Sequence, residues 1–145
     1  MEFYLEVGDE EGANAASKAG FHGVVSTGPR GKVTLLKTND LEKVGSDFLL
    51  TEDESLAKEA KRKGLKVALL VQSPVKPKVE VDLLVVPYGL VNPRSVRQLG
   101  VDRVLAYNVN DPVIAERMKE IGVKGVVTSN VNLIKEMEKV NQGSP

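Results

Sequence analysis

A chain of 145 residues carrying 20 basic and 20 acidic side chains and no cysteine is long enough to bury one continuous core. It has no global field to draw nucleic acid or an anionic membrane surface, and it can form neither disulfides nor thiolate metal sites. Tryptophan is absent and aromatics are 4% of the chain, so stacking platforms for bases or sugars are scarce and the core must be mostly Val and Leu.

No apolar run approaches the roughly 18–20 residues of a membrane helix, and Met1 to Val7 lacks the pattern of a signal peptide. The expectation is one cytoplasmic domain over residues 1–141, followed by a short flexible tail at 142–145.

The first predicted strand is Phe3–Val7, where Glu2, Tyr4 and Glu6 alternate with Phe3, Leu5 and Val7, so the two sets face opposite sides. Asp9, Glu10 and Glu11 follow as an acidic helix start, with a hard-cation site as the alternative. At Ala19-Gly20-Phe21-His22-Gly23-Val24-Val25 comes the first copy of a recurring phrase, in which a segment closes at glycine, two residues pass and an apolar run begins. Further copies lead from Val44-Gly45, Lys63-Gly64, Leu99-Gly100 and Ile121-Gly122. Glycine accepts the left-handed conformation that closes a helix, so each copy predicts a helix-to-strand junction.

The predicted strands after the first are Gly23–Thr27, Lys32–Lys37, Asp47–Thr51, Lys66–Gln72, Asp82–Tyr88, Arg103–Val109 and Gly125–Ser129. Between Gly23–Thr27 and Lys32–Lys37 the turn Gly28-Pro29-Arg30-Gly31 leaves no room for a helix, which predicts an antiparallel hairpin. Helices are predicted at Asp53–Lys63, Asn92–Leu99, Asp111–Ile121 and Asn132–Val140, each opened by a capping residue. Pro93 and Pro112 sit in first turns, where proline is accepted. Ser73 to Lys78, with two prolines, reads as an exposed loop in place of a helix. Near-continuous apolar strands such as Val67–Val71 require a parallel sheet buried on both faces, and eight of them suggest a compact (β/α)8-like TIM barrel with some helices replaced by loops. The alternative is an open doubly wound parallel sheet.

In parallel α/β folds sites lie at the carboxyl ends of the strands. Those ends carry Glu6, Ser26, Thr27, Lys37, Thr51, Gln72, Ser73, Tyr88, Asn108, Asn110, Ser129 and Asn130. Hydroxyls and amides of this kind bind phosphate or sugar through hydrogen bonds, and Thr27, Thr51, Gln72, Tyr88, Tyr107, Asn108, Asn110 and Ser129 are the expected ligand-binding set. Glu6 and Lys37 are the best candidates for chemistry, a structural salt bridge being the plainer reading. His22, the only histidine, occupies the repeat position of Asp47, Lys66, Asp102 and Lys124, which places it at the amino end of its strand with a structural role. Lys58, Lys61, Arg62, Lys63, Lys66, Lys76 and Lys78 read as a solvated helix face and loop, and the lack of nearby aromatics argues against nucleic acid. Gly28-Pro29-Arg30-Gly31 could bind phosphate through Arg30, although it reads first as a turn.

From Tyr107 to Ile134, the run Tyr107-Asn108-Val109-Asn110-Asp111-Pro112, Ala115-Glu116-Arg117-Met118, Ile121 through Asn130 and Asn132-Leu133-Ile134 resembles the closing strands of the glycerophosphodiester phosphodiesterases. Tyr107 stands where that family typically has tryptophan, and Thr128-Ser129-Asn130-Val131 where it has Thr-Asp-Asn or Thr-Asp-Tyr and a proline. A weaker echo runs from Phe21-His22-Gly23-Val24-Val25 through Gly31–Leu36 to Leu41-Glu42-Lys43-Val44.

The resemblance implies an eight-stranded barrel. In that second stretch the family carries a Glu-x-Asp metal motif and a His-Asp pair, and the corresponding places here hold Val25 and Thr27, then Lys37 and Thr38. Without paired histidines and metal carboxylates, in-line attack on a phosphodiester has neither acid-base groups nor a charge clamp.

The resulting expectation is a degenerate barrel without cofactor or metal that binds a small phosphorylated ligand or a protein partner. Three alternatives stand beside it: an active phosphodiesterase using Mg or Ca, a lyase or isomerase using Glu6 and Lys37, and a self-assembling structural subunit that forms a homo-oligomer.

Overall fold

The structure is a computed structural model and describes residues 1–31 and 33–142, except the side chains of 141 and 142. Eight strands close a barrel in chain order: β1 (Glu2–Glu6), β2 (Gly23–Ser26), β3 (Val33–Lys37), β4 (Phe48–Thr51), β5 (Lys66–Leu70), β6 (Leu83–Pro87), β7 (Val104–Tyr107) and β8 (Gly125–Thr128). Every neighbouring pair is parallel, including β8 against β1. Closure excludes the open doubly wound sheet.

Five α-helices lie among the described residues: α1 (Glu10–Lys18), α2 (Glu54–Arg62), α3 (Pro93–Leu99), α4 (Pro112–Ile121) and α5 (Leu133–Gln142). They follow β1, β4, β6, β7 and β8. Shorter links serve elsewhere, with a 3-10 turn at Leu41–Lys43 before β4 and a loop between β5 and β6. No helix among the described residues is long and apolar enough to cross a membrane. Residues 143–145, the remainder of the expected tail, and Lys32 of the expected third strand fall outside the described residues.

Asp9, Asp53, Asn92 and Asp111 cap their helices through their side chains, whereas Asn132, expected to cap the last helix, contributes its backbone carbonyl, which accepts the Glu136 amide. Asp9 Oδ1 accepts the Gly12 amide at 2.7 Å, Asp53 the Ser55 amide at 2.9 Å and Asp111 the Val113 amide at 2.7 Å. Asn92 and Ser95 form a reciprocal capping box. Three of the glycine phrases close in one way, the amides of Phe21, Leu65 and Val123 reaching back to the carbonyls of Ala16, Ala60 and Met118. Gly64 and Gly122 have φ of 78° and 97°, the conformation that makes this closure possible without a Cβ clash. The phrase at Gly45 follows the 3-10 turn in place of an α-helix.

One expectation is overturned. β2 and β3 are parallel, with Gly23 opposite Val33 and Ser26 opposite Leu36, so Gly28-Pro29-Arg30-Gly31 is not a hairpin turn. Parallel neighbours ordinarily need a crossover of a dozen or more residues. Strands this short need much less, because a four-residue strand rises only about 13 Å, a distance that a few extended residues span. The closed ring supplies the constraint, since β3 also pairs in parallel with β4.

Alternation divides the strands between the barrel interior and the outer packing beneath the helices, where Leu5 of β1 and Val24 of β2 pack with Ala16 and Phe21 in a cluster of their own. Tyr4, Val25, Leu35, Leu50, Ala68, Leu83, Val85, Leu105 and Val127 fill the barrel. Leu49, Val67, Leu69, Leu84, Val86, Val104, Ala106 and Val126 face outward onto helical residues including Ala57, Ala60, Leu99, Ala115, Met118 and Leu133. The Tyr4 ring uses the space that Gly23 leaves inside the barrel. A Cβ on Gly23 would stand 2.9 Å from that ring and 2.6 Å from the Val33 carbonyl oxygen.

Candidate functional site

The face of β1 bearing Glu2, Tyr4 and Glu6 points into the barrel, and the two ends of that face differ. At the amino end the Tyr4 phenol, 2% exposed, donates to Glu2 Oε1 at 2.8 Å. Burial, that hydrogen bond and the Glu2 charge push its pKa well above the usual phenol range. His22 lies at this end, as expected, with Nε2 3.6 Å from Glu2 Oε2 and its ring edge-on to Tyr4 at 5.4 Å. Lys124 Nζ approaches Glu2 Oε2 at 3.8 Å. These contacts give His22 a structural place on the face away from the mouth.

At the carboxyl end a cavity of about 110 Å³ opens over the inner core, lined by Glu6, Lys37 and Tyr107 above a floor of Val25, Leu35, Leu50, Leu70, Val85 and Val127. Lys37 is shared with an adjoining cavity of about 370 Å³ that adds Thr38, Asn39, Thr51 and Glu52. Glu6 and Lys37 are both exposed, and no ion pair joins them among the described residues. The salt bridge that was the plainer reading of this pair is therefore not formed. Both charges remain free for a ligand.

The other expected ligand residues divide. Gln72 Nε2 donates to the Tyr107 hydroxyl at 3.1 Å, which brings Gln72 to the rim. Thr51 is buried, and its hydroxyl accepts the Asp53 amide at 3.0 Å, holding the start of α2. Asn110 Oδ1 collects the Thr128 hydroxyl at 2.7 Å and the Ser129 amide and hydroxyl at 2.9 and 3.2 Å. Asn110 Nδ2 donates to Asn108 Oδ1 at 3.3 Å, and Asn130 Nδ2 binds both the Asn110 carbonyl at 3.0 Å and Glu136 Oε1 at 2.7 Å. Asn108, Asn110 and Ser129 thus form a knot joining the ends of β7 and β8, beside the cavity and outside its lining. Thr27 is exposed, as is Tyr88, and neither lines either cavity.

Arg30 does not present an open guanidinium for phosphate. Its Nε donates to Ser26 Oγ at 3.0 Å, Nη2 to the Gly8 carbonyl at 3.2 Å and Nη1 to Glu10 at 3.4 Å. It braces the loops after β1 and β2. Asp9 and Glu10 are engaged as cap and as Arg30 partner, and no three His, Cys, Asp or Glu side chains gather as a metal site among the described residues.

What the sequence reading missed is the apolar floor. The strand alternation carried that signal, but which face turned inward was open until the barrel closed. Thr38, Asn39 and Glu52 were missed as well; Thr38 and Asn39 directly follow Lys37 in the chain, and the pairing of β3 with β4 brings Glu52 to the same cavity.

No family model matches the chain, and no curated protein sequence matches it significantly. Among solved structures the chain is similar to a protein from Silicibacter pomeroyi DSS-3 assigned as a glycerophosphoryl diester phosphodiesterase, with a TM-score of 0.56 and 22% identity over 77% of this chain. The match takes in 51% of that protein, so the chain spans about half its length. The likeness establishes a shared barrel fold.

Proposed function

We propose that the carboxyl-end mouth binds a small phosphate-bearing metabolite without hydrolysing it, a phosphodiesterase-like barrel used as a binding protein. The observation that carries this reading is the unpaired state of Glu6 and Lys37 on the rim of one apolar-floored cavity. An ammonium on that rim attracts a phosphate. A carboxylate beside it accepts hydrogen bonds from the hydroxyls of a glycerol-like remainder, and Gln72 and Tyr107 add polar contacts. The small inner cavity takes a compact group, and the adjoining one, which shares Lys37, takes the rest of the ligand.

Hydrolysis would need a general base and a group to protonate the leaving alcohol. The only histidine is at the opposite end, engaged with Glu2 and Tyr4, and the carboxylates at the mouth are divided, Glu6 lining the inner cavity and Glu52 the adjoining one. Binding without turnover follows.

Titration with glycerol 3-phosphate tests the proposal. Saturable binding that weakens at least tenfold in Lys37→Met, together with no release of choline from glycerophosphocholine in magnesium, calcium or manganese, is the expected result. Metal-dependent release that disappears in Glu6→Gln would overturn it in favour of surviving phosphodiesterase chemistry.

A further inference from the structure

A further opening lies outside the barrel, between α2 and the loop leading into β6. It is a groove of about 590 Å³ lined by Glu54, Ser55, Lys58, Lys61, Arg62, Lys78, Val79 and Glu80. Its charges are not balanced pair by pair. Lys61 Nζ is held by Asp82 at 2.8 Å, while of the two acids Glu80 is held by Arg103 at 3.0 Å and Glu54 accepts the Lys78 backbone amide at 3.1 Å. The ammonium groups of Lys58 and Lys78 and the guanidinium of Arg62 have no acidic partner among the described residues.

Lys58 and Arg62 are four apart on α2 and so share one helix face. Lys78 stands on the opposite wall, which the Lys78–Glu54 hydrogen bond fixes against the start of the same helix. Glu54 and Glu80 line the groove too, but Glu80 is paired with Arg103, so positive charge remains in excess there, and a cleft with an excess of one sign of charge concentrates counter-ions.

We infer that this groove is a second anion site, separate from the barrel mouth, and that it takes a small molecule carrying two or more linked phosphate groups. Cations stand on both walls of a groove of about 590 Å³, and Glu54, whose amide hydrogen bond leaves its charge in place, offsets one of them, so the preference for linked phosphates rests on geometry: two or more phosphate groups can meet Lys58 and Arg62 on one wall and Lys78 on the other. Arg62 supplies the planar fork suited to bidentate phosphate binding and the lysines supply point charges. No aromatic side chain lines the groove, so nothing stacks on a base. Recognition therefore rests on the phosphates, and the chain's zero net charge adds no long-range attraction for a polynucleotide.

Inorganic tripolyphosphate, titrated into the isotope-labelled full chain at low salt and followed by amide chemical shifts, tests this inference. Shifts concentrated on residues 54–62 and 78–80, saturating, and weakened at least tenfold in the Lys58→Gln/Arg62→Gln double variant but unchanged in Lys37→Met, support it. Folding of the double variant is confirmed by its unshifted core amides, and Lys78→Gln provides an independent variant on the other wall. Absence of saturation, or shifts spread evenly over exposed lysines, overturns the inference. Binding lost in Lys37→Met and kept in the double variant also overturns it, because that result assigns tripolyphosphate to the mouth. Glycerol 3-phosphate binding at the mouth is read separately, so either site can fail alone.

Discussion

Asn110 accepts the Thr128 hydroxyl at 2.7 Å, fastening the loop after β7 to the end of β8 at a threonine with no solvent exposure. Two further donors, the amide and hydroxyl of Ser129, meet the same oxygen. Replacing Asn110 by Ala removes one acceptor from three donors. A buried donor left unpaired costs about 1–3 kcal/mol, so Asn110→Ala is expected to lower the unfolding free energy by that amount in urea titration. Ligand binding at the neighbouring cavity should change less than stability does, since Asn110 does not line it.

Two glycines separate steric contact from backbone strain. Gly23→Ala forces a Cβ to 2.6 Å from the Val33 carbonyl oxygen, backbone that cannot move without breaking the β2–β3 register, and overpacking of this kind is expected to cost about 3 kcal/mol or more. Gly64→Ala meets open space but keeps a φ of 78°, for which a cost of about 1–2 kcal/mol is expected. Thermal unfolding of the two variants side by side checks the ordering.

The acid limb of stability should depend on Asp82. Burial raises its pKa, but the hydrogen bonds from Lys61 and the Val67 amide and the charge of Lys61 outweigh that effect, leaving the carboxyl below its usual range. A depressed folded pKa means that the unfolded chain binds the proton first. The contribution is therefore present above the unfolded value of about 3.9 and is lost as pH falls through the folded one. Asp82→Asn is expected to reduce stability at neutral pH and to flatten its fall at lower pH.

Asp47 carries the opposite sign. Burial raises its carboxyl and Lys66 opposes the rise only in part, so its contribution is present below the unfolded pKa and lost as pH climbs through the folded one. Asp47→Asn should accordingly stabilise the protein near neutrality. Urea midpoints at pH 4 and pH 7 distinguish the two aspartates.

Glu6→Gln and Lys37→Met should leave stability within about 0.5 kcal/mol of the parent, because neither side chain has an ion-pair partner to lose. A larger loss in either variant would show that its charge is engaged in holding the barrel together, and would remove the basis for assigning it to a ligand.

Sequence alone determined the short-range features. Asp9, Asp53, Asn92 and Asp111 cap helices because each acts on amides two or three residues away. Gly20, Gly64 and Gly122 end helices because their conformation and the apolar residue after them are set within six residues. The position of His22 at the amino end follows from the same repeat. The eight apolar runs were legible, and so was the parallel burial of all but the β2–β3 pair, because a strand covered on both faces must be apolar throughout.

Only the tertiary structure decided what depends on residues far apart in the chain. Gly28-Pro29-Arg30-Gly31 has the composition of a hairpin turn, yet β3 runs parallel to β2 because a closed ring must also pair it with β4. Arg30 resembled a phosphate ligand until folding supplied Ser26, Gly8 and Glu10 as its partners. Glu6 and Lys37 are thirty-one positions apart, and barrel closure set them on one cavity rim without pairing them. Lys58, Arg62 and Lys78 became a groove because the loop before β6 folds against α2, where Glu80 meets Arg103 and Glu54 accepts the Lys78 amide. Local conformational preference is written in adjacent residues, whereas whether a charge finds a partner is settled by the packing that brings distant elements together.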